Sequence, residues 1–404
     1  MPRRALFLLL PLLVAMPAAA QFPEGLILPI ACTPGADCWV LRHVDHDPGP
    51  GARDYMCGTL TGDGHKGTDI ALRDLSAMAA GVEVRAAAAG VVDALRDGMA
   101  DVSVDQIGQA AIAGKDCGNG IRLAHSDGWT TWYCHLRRGS LMVKQGDRVV
   151  AGQPLALVGL SGDTSFPHLH FDVRHGEQPI DPYVGVRPLA DCGADAQPLW
   201  AATIGAQLAY QPILLTNGGF ATVAPQKEDV RRGWHRLARL PVASPALVLW
   251  VEGYWVKQGD RVVFTLRGPD GGIVLDHVME IENGQQRWLG FAGAPRPGAG
   301  WPVGTYAGAV TLERMTPDGP RRVTLDRSVD LGRLKAGAWR SSSGTGDRLG
   351  NLAQEPDPAG SRGRNDVGAA RSRGAAGCGY GGACRTGAAD ARISASASCR
   401  GTIA

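Results

Sequence analysis

Eight of the ten histidines fall between His43 and His175, and the informative ones lie in three short pieces. These are His65-Lys-Gly-Thr-Asp69, Tyr133-Cys-His135-Leu and Pro167-His168-Leu169-His170-Phe171. Imidazole nitrogen and carboxylate oxygen both bind zinc at about 2.0–2.2 Å, and a catalytic zinc takes three protein ligands while leaving a fourth position open. The pieces therefore supply more donors than one such ion needs. The two histidines left over suit proton transfer or stabilisation of charge on a scissile carbonyl. If Leu169 lies on a strand, His168 and His170 share one face, because side chains alternate with period two. The same alternation predicts that Thr131, Tyr133 and His135 share a face of a neighbouring strand. Gly67, between His65 and Asp69, is expected to let the backbone turn so that both residues reach one ion.

The remaining histidines read differently. His125 is expected as a structural strand residue, and Tyr133 as a packing or groove-lining side chain. Asp45-His46-Asp47, with His43 nearby, is followed by Pro48-Gly49, which favours a solvated turn over a second metal site. His235 and His277 are isolated.

The elements that must position these groups are mainly β. From about Tyr55 to Ala190, runs such as Val82–Arg85, Ile121–His125, Thr130–His135, Arg148–Val150 and His168–Val173 alternate with Gly and Asp turns. Helix is expected only near Leu72–Ala80 and Val102–Ala113, the second as an inserted loop. Residues 21–54, rich in Pro and Gly, are expected as an extended lead-in. A second block, 199–335, has strand-like runs at Leu247–Val251, Arg261–Leu266, Gly272–Val278 and Tyr306–Glu313, with turns at Pro269–Gly272 and Pro317–Gly319. That spacing predicts a β-sandwich accessory domain, an immunoglobulin-like one being one form of it. Residues 336–404 are Gly-, Ala-, Ser- and Arg-rich, and disorder is the expectation because so little apolar surface could offset chain ordering.

Across 404 residues, 41 Lys and Arg stand against 39 Asp and Glu, so no basic field points to nucleic acid as a partner. Arg3-Arg4, the apolar run Ala5–Ala15 and Ala18-Ala19-Ala20 have the form of a secretory signal peptide over 1–20. The apolar run is too short to span a bilayer, and no later stretch is long enough. Export to the periplasm or the extracellular space is the expectation. It makes the six cysteines before residue 200 candidate disulfides, with 15 connectivities open. Cys32–Cys38 is the easiest local bridge, and Cys117–Cys134 would tie neighbouring strands.

Together the pieces resemble the LytM/lysostaphin-type peptidases, the M23 family of zinc metallopeptidases. The resemblance extends to Gly64-His65-Lys66-Gly67-Thr68-Asp69-Ile70, Ala87-Ala88-Ala89-Gly90-Val91-Val92 and His125-Ser126-Asp127-Gly128. It continues through Val143–Gln153 and Gly159-Leu160-Ser161-Gly162 to Pro167–Phe171, and covers roughly residues 58–183. It implies an antiparallel β peptidase domain over 55–190, with one Zn2+ held by His65, Asp69 and His170. His135 and His168 would then be the unliganded catalytic pair. It further implies hydrolysis of peptide crosslinks in bacterial peptidoglycan, D-alanyl-diaminopimelate bonds being preferred here over glycyl-glycine bridges on cell type. The rival that the same resemblance carries is a non-catalytic LytM-like module that binds cell wall or activates cell-wall amidases. Such proteins have a broken ligand set, whereas all five positions are present here. The stretch from Arg96 to Asn119 is longer than usual for the family, and a Cys117–Cys134 bridge could fix it.

Overall fold

The computed structural model describes residues 22, 25–189, 191–316 and 319–333, together with the backbone of 393–394. The leader expected over 1–20 lies outside the described residues, as does the 336–404 tail apart from that pair. The chain is mainly β, with antiparallel sheets.

In the first module, strands β1 (Cys38–Arg42), β2 (Thr68–Leu72), β3 (Glu83–Arg85), β4 (Gly90–Arg96), β5 (Asn119–Ala124) and β6 (Trp129–Leu136) precede β7 (Arg148–Val149), β8 (Pro154–Leu157), β9 (His168–His175) and β10 (Gln178–Ile180). The large sheet runs β1-β2-β9-β6-β5-β4-β7, with β10 beside β9, while β3 and β8 form a separate pair. Helix α1 (Leu75–Ala80) follows β2 because Asp74 caps it: its carboxylate accepts from Ala77 N at 2.8 Å. Helix α2 (Val104–Ile107) and a 3-10 turn at Gln109–Ile112 occupy the insertion between β4 and β5.

One face of the sheet is apolar by alternation. Tyr133, Leu169, Phe171 and Val173 are fully buried and pack with Val84, Leu155 and Val158 of the β3/β8 layer. Each such side chain contributes about 1.5–3 kcal/mol over an exposed state. The opposite face carries the site.

Two boundaries differ from expectation. The stretch 21–54 is more than a lead-in: it supplies strand β1 and the core residues Leu26 and Ile30. Leu26 also bridges Trp200, and Trp200 and Leu208 pack into the first core. Residues 199–210, including α3 (Ala202–Gln207), therefore complete the first module rather than open the second. In both cases apolar side chains too sparse to show a period are buried by distant parts of the chain.

Three disulfides close the module: Cys32–Cys38, Cys57–Cys192 and Cys117–Cys134. Cys57–Cys192 spans 135 residues and ties the loop before β2 to the segment after β10. In a chain-entropy account it removes about 5 kcal/mol of unfolded-state freedom.

The second module comprises β11 (Leu214–Ala221), α4 (Lys227–Arg231), β12 (Arg239–Pro241), β13 (Ala246–Val256), β14 (Arg261–Arg267), β15 (Ile273–Glu280), β16 (Gln285–Pro295), β17 (Gly304–Thr316) and β18 (Gly319–Gly332). One sheet has the order β11-β13-β16, extended by β19 (Ile393–Ser394), and the other runs β12-β18-β17-β14-β15. Leu249 and Val251 from the first sheet meet Phe264, Leu266, Val310 and Leu312 from the second in one core, which makes the module a sandwich. The expected turn at Pro269–Gly272 joins β14 to β15, with Gly271 at φ +79°. The other expected turn falls partly at 317–318, outside the described residues.

The modules pack together. Trp39, Leu41 and Ala71 meet Leu214 and Tyr254 in a shared apolar cluster. The Trp255 indole donates to Leu41 O at 2.7 Å, and Arg42 donates to Gln286 Oε1 at 3.0 Å.

Candidate active site

Strand register brings the three pieces together. Asp69 on β2 lies opposite His170 on β9, and His170 lies opposite Cys134 on β6, so these side chains share the face away from the core. His168 and His170 do project to that face, with Leu169 turned into the core between them.

The expected shared face for Thr131, Tyr133 and His135 does not hold. Tyr133 pairs with Phe171 in the core, where its hydroxyl accepts from Ala87 N at 2.8 Å and from Thr131 Oγ1 at 3.2 Å. Simple alternation would send His135 into the core as well. Instead, Asn119 pairs with Leu136 and Ile121 with Tyr133, so Cys134 and His135 oppose Gly120 alone. This is a bulge, and His135 sits in it at φ +60°. The extra residue turns the imidazole to the site face, where its ring centre lies 4.6 Å from that of His168 and 5.9 Å from that of His170. Cys117 secures the bulge twice, through its disulfide to Cys134 and by its carbonyl accepting from His135 N at 2.8 Å.

Gly67 also serves differently from expectation. Its φ is not in the left-handed region; instead a Cβ there would stand 2.6 Å from Phe171 O and 2.7 Å from His170 Nε2. Glycine is required for close approach rather than for turning.

Three candidate ligand atoms converge. Asp69 Oδ1 is 3.1 Å from His65 Nε2 and 2.9 Å from His170 Nδ1, and the two nitrogens are 3.2 Å apart. Ligands about 2.0–2.1 Å from a tetrahedral zinc stand about 3.3 Å from each other, so the spacing fits one small cation. Second partners set the tautomers. His65 Nδ1 donates to His43 O at 2.7 Å, which leaves Nε2 with its lone pair. His135 Nδ1 donates to Ser161 O at 2.8 Å, and His168 Nδ1 to Phe166 O at 3.0 Å, leaving each Nε2 free; His168 Nε2 lies 3.4 Å from Asp69 Oδ1. Phe166 stacks on the His168 ring at 4.5 Å.

The electrostatics follow from burial against charge. Burial alone would raise the Asp69 pKa, but His65 and His168 outweigh it and hold the carboxyl well below the usual carboxylate range. Burial would lower His65, but Asp69 outweighs it and the pKa is raised. Burial, then the neighbouring His168 and His170, push His135 well below the ordinary histidine value, which favours its neutral form. His43, buried among Tyr55, Tyr183 and Tyr210, is pushed down to about 4 by burial.

His125, Asp45 and His46 bond to groups outside the three-residue cluster. His125 bonds Ala89 O at 2.7 Å and Thr131 Oγ1 at 2.9 Å. Asp45 accepts from the backbone of Asp47, Arg53 and Gly64, as a turn residue does, and His46 pairs with Asp181. Sequence reading missed the carbonyls of His43, Ser161 and Phe166, because a backbone oxygen leaves no signature in residue type.

Residues 63–182 match Peptidase family M23. The chain is 37% identical over 84 residues to the cell division protein DipM of Caulobacter vibrioides, covering 19% of this chain and 14% of that protein. It is 37% identical over 73 residues to the peptidoglycan DD-endopeptidase ShyB of Vibrio cholerae, covering 18% of this chain and 17% of that one. The matches thus span about a sixth of these relatives' length. A solved variant of the catalytic domain of the prophage-encoded M23 protein EnpA from Enterococcus faecalis aligns at 24% identity, over 35% of this chain and 87% of that one, with a TM-score of 0.25. The chain carries a domain of Peptidase family M23. Among the described residues, no helix is long and apolar enough to cross a membrane.

Proposed function

We propose that the protein is an exported zinc endopeptidase that cuts peptide crosslinks of bacterial peptidoglycan. The observation that carries this reading is the convergence of His65 Nε2, Asp69 Oδ1 and His170 Nδ1 within 3.2 Å, with two further imidazoles beside them. His65, Asp69 and His170 would hold the ion. Zinc bound there supplies Lewis acidity, polarising a peptide carbonyl and lowering the pKa of a coordinated water toward about 7.

This chain's own residues do the remaining work. His135, neutral and fixed by Ser161 O, offers Nε2 to take a proton from water and pass it to the leaving amine. His168, fixed by Phe166 O through Nδ1, faces the same space and would stabilise charge developing on the carbonyl oxygen when its Nε2 carries a proton. The relatives named as endopeptidases support the substrate class. A D-alanyl-diaminopimelate bond is the preferred target.

The test measures zinc content together with release of peptides from purified peptidoglycan, for wild type and His170→Ala. About one zinc per wild-type chain, with peptide release abolished in the variant, is expected. Wild-type protein that takes up no zinc and releases no peptide, yet stimulates an amidase or binds wall, would overturn this reading for the non-catalytic one.

A further inference from the structure

The face that carries the metal-site residues continues along the sheet. Two residues beyond His170, Asp172 lies opposite Trp132, and Trp132 lies opposite Arg122 on β5. Arg174 follows two residues later on β9. Both guanidinium groups rest on the same indole, with their central carbons 5.2 Å and 4.8 Å from its ring centre for Arg122 and Arg174 respectively. The indole is held in turn, its nitrogen donating to Thr130 Oγ1 at 3.1 Å.

Pairing within this cluster is incomplete on both signs. Arg174 spends Nε and Nη2 on a single oxygen, Asp172 Oδ2, at 2.8 and 2.6 Å. That leaves Asp172 Oδ1 buried without a partner, although the residue is only 2% exposed. Arg122 pairs through Nη2 with Asp93, and its buried Nε has no partner. A buried acceptor left unpaired costs about 1–3 kcal/mol, so a cluster built only for stability would close these bonds internally. The arginine side chains keep 34% and 21% of their surface open to solvent.

We propose that Arg122 and Arg174, held against Trp132, form a carboxylate-binding subsite for an acidic peptide substrate. The proposal rests on the peptidase reading and deepens it by naming what the groove recognises. Strand rise puts Asp172 and Arg174 roughly 7 and 13 Å along β9 from His170. An extended peptide covers those distances in two to four residues, so the recognised carboxylate lies that far from the bond presented to the metal-site residues. Asp172 acts as a positioning residue by orienting the Arg174 fork, and the Trp132 ring holds each cation by its contact with the guanidinium.

The experiment uses the full zinc-loaded chain and two synthetic crosslinked stem peptides, one with free carboxyls and one with the carboxyls amidated. Binding and cleavage are measured separately for wild type, Arg122→Gln and Arg174→Gln. Wild type is expected to bind and cut the free acid about tenfold better through KM, with kcat within about twofold. Each variant is expected to lose that preference while keeping its zinc. If wild type binds the acid form tenfold more tightly but cuts neither, the subsite stands and the hydrolase reading falls. Equal handling of acid and amide by wild type, or an unchanged preference in both variants, overturns the subsite. Should Arg174→Gln fail to fold, shown by lost zinc, the more exposed Arg122→Gln decides the matter alone.

Discussion

Two buried charged clusters in this chain obey opposite rules. In the sandwich, Asp260 is 2% exposed and pairs with Arg314, which donates Nε and Nη2 to the carboxylate, Nη1 to Pro212 O and Nη2 again to Trp255 O. Donors and acceptors close on each other, and the cluster holds the end of β13, whose Trp255 indole reaches Leu41 O in the first module. In the peptidase module, Asp69 is equally buried, yet its neighbours are three imidazoles, and that of His65 is turned by its bond to His43 O so that its Nε2 lone pair points inward beside Asp69 and His170. A self-satisfied cluster is architecture; acceptors that converge on one point make a place for a cation.

That contrast can be broken experimentally. Asp69→Asn should lower kcat/KM at least about a thousandfold by weakening zinc binding. The same change should leave the metal-free protein close to wild type in thermal stability, as a melting curve with chelator would show. Arg314→Leu should do the reverse. Leaving Asp260 buried and unpaired costs about 3–5 kcal/mol in denaturant unfolding, while zinc content per folded molecule stays unchanged. If Arg314→Leu emptied the metal site instead, the two clusters would not be separable.

Smaller changes sharpen the picture. His135→Gln should lower kcat by about a hundredfold or more with full zinc content, since it removes the base but no ligand. Gly67→Ala should cost about 1–3 kcal/mol through overpacking against Phe171 O and the His170 ring, and should weaken zinc binding measured by competition with a chelator. The smallest effect concerns pH. Burial holds the His125 pKa below its ordinary value, so the folded chain keeps it neutral where the unfolded chain would take a proton. The stability it permits is complete above about pH 6.5 and is lost as pH falls through that value toward the lowered one. His125→Gln should therefore flatten the decline in melting temperature between pH 7 and 5.

Much of the site was legible because ligand chemistry is written in residue type and short spacing. His65 and Asp69 lie four apart, His168 and His170 two apart, and those intervals alone suffice once the residues sit on a turn and a strand. The strands β5, β6, β9, β13 and β14 were equally legible from β-branched and aromatic runs. β1 and the 199–210 segment were not, because their burial depends on partners far along the chain. β16 and β18 escaped notice because Gly and charged residues interrupt their patterns.

The sequence by itself determined which residues could offer ligands to a zinc ion, and that a β framework would hold them, since donor chemistry and alternation are local properties. Only the tertiary structure decided how His135 reaches the site, why residue 67 must be glycine, and that Arg122, Trp132 and Arg174 share one surface. Each of those depends on register between strands, and register is fixed by long-range packing and by a one-residue bulge that no short window of sequence contains.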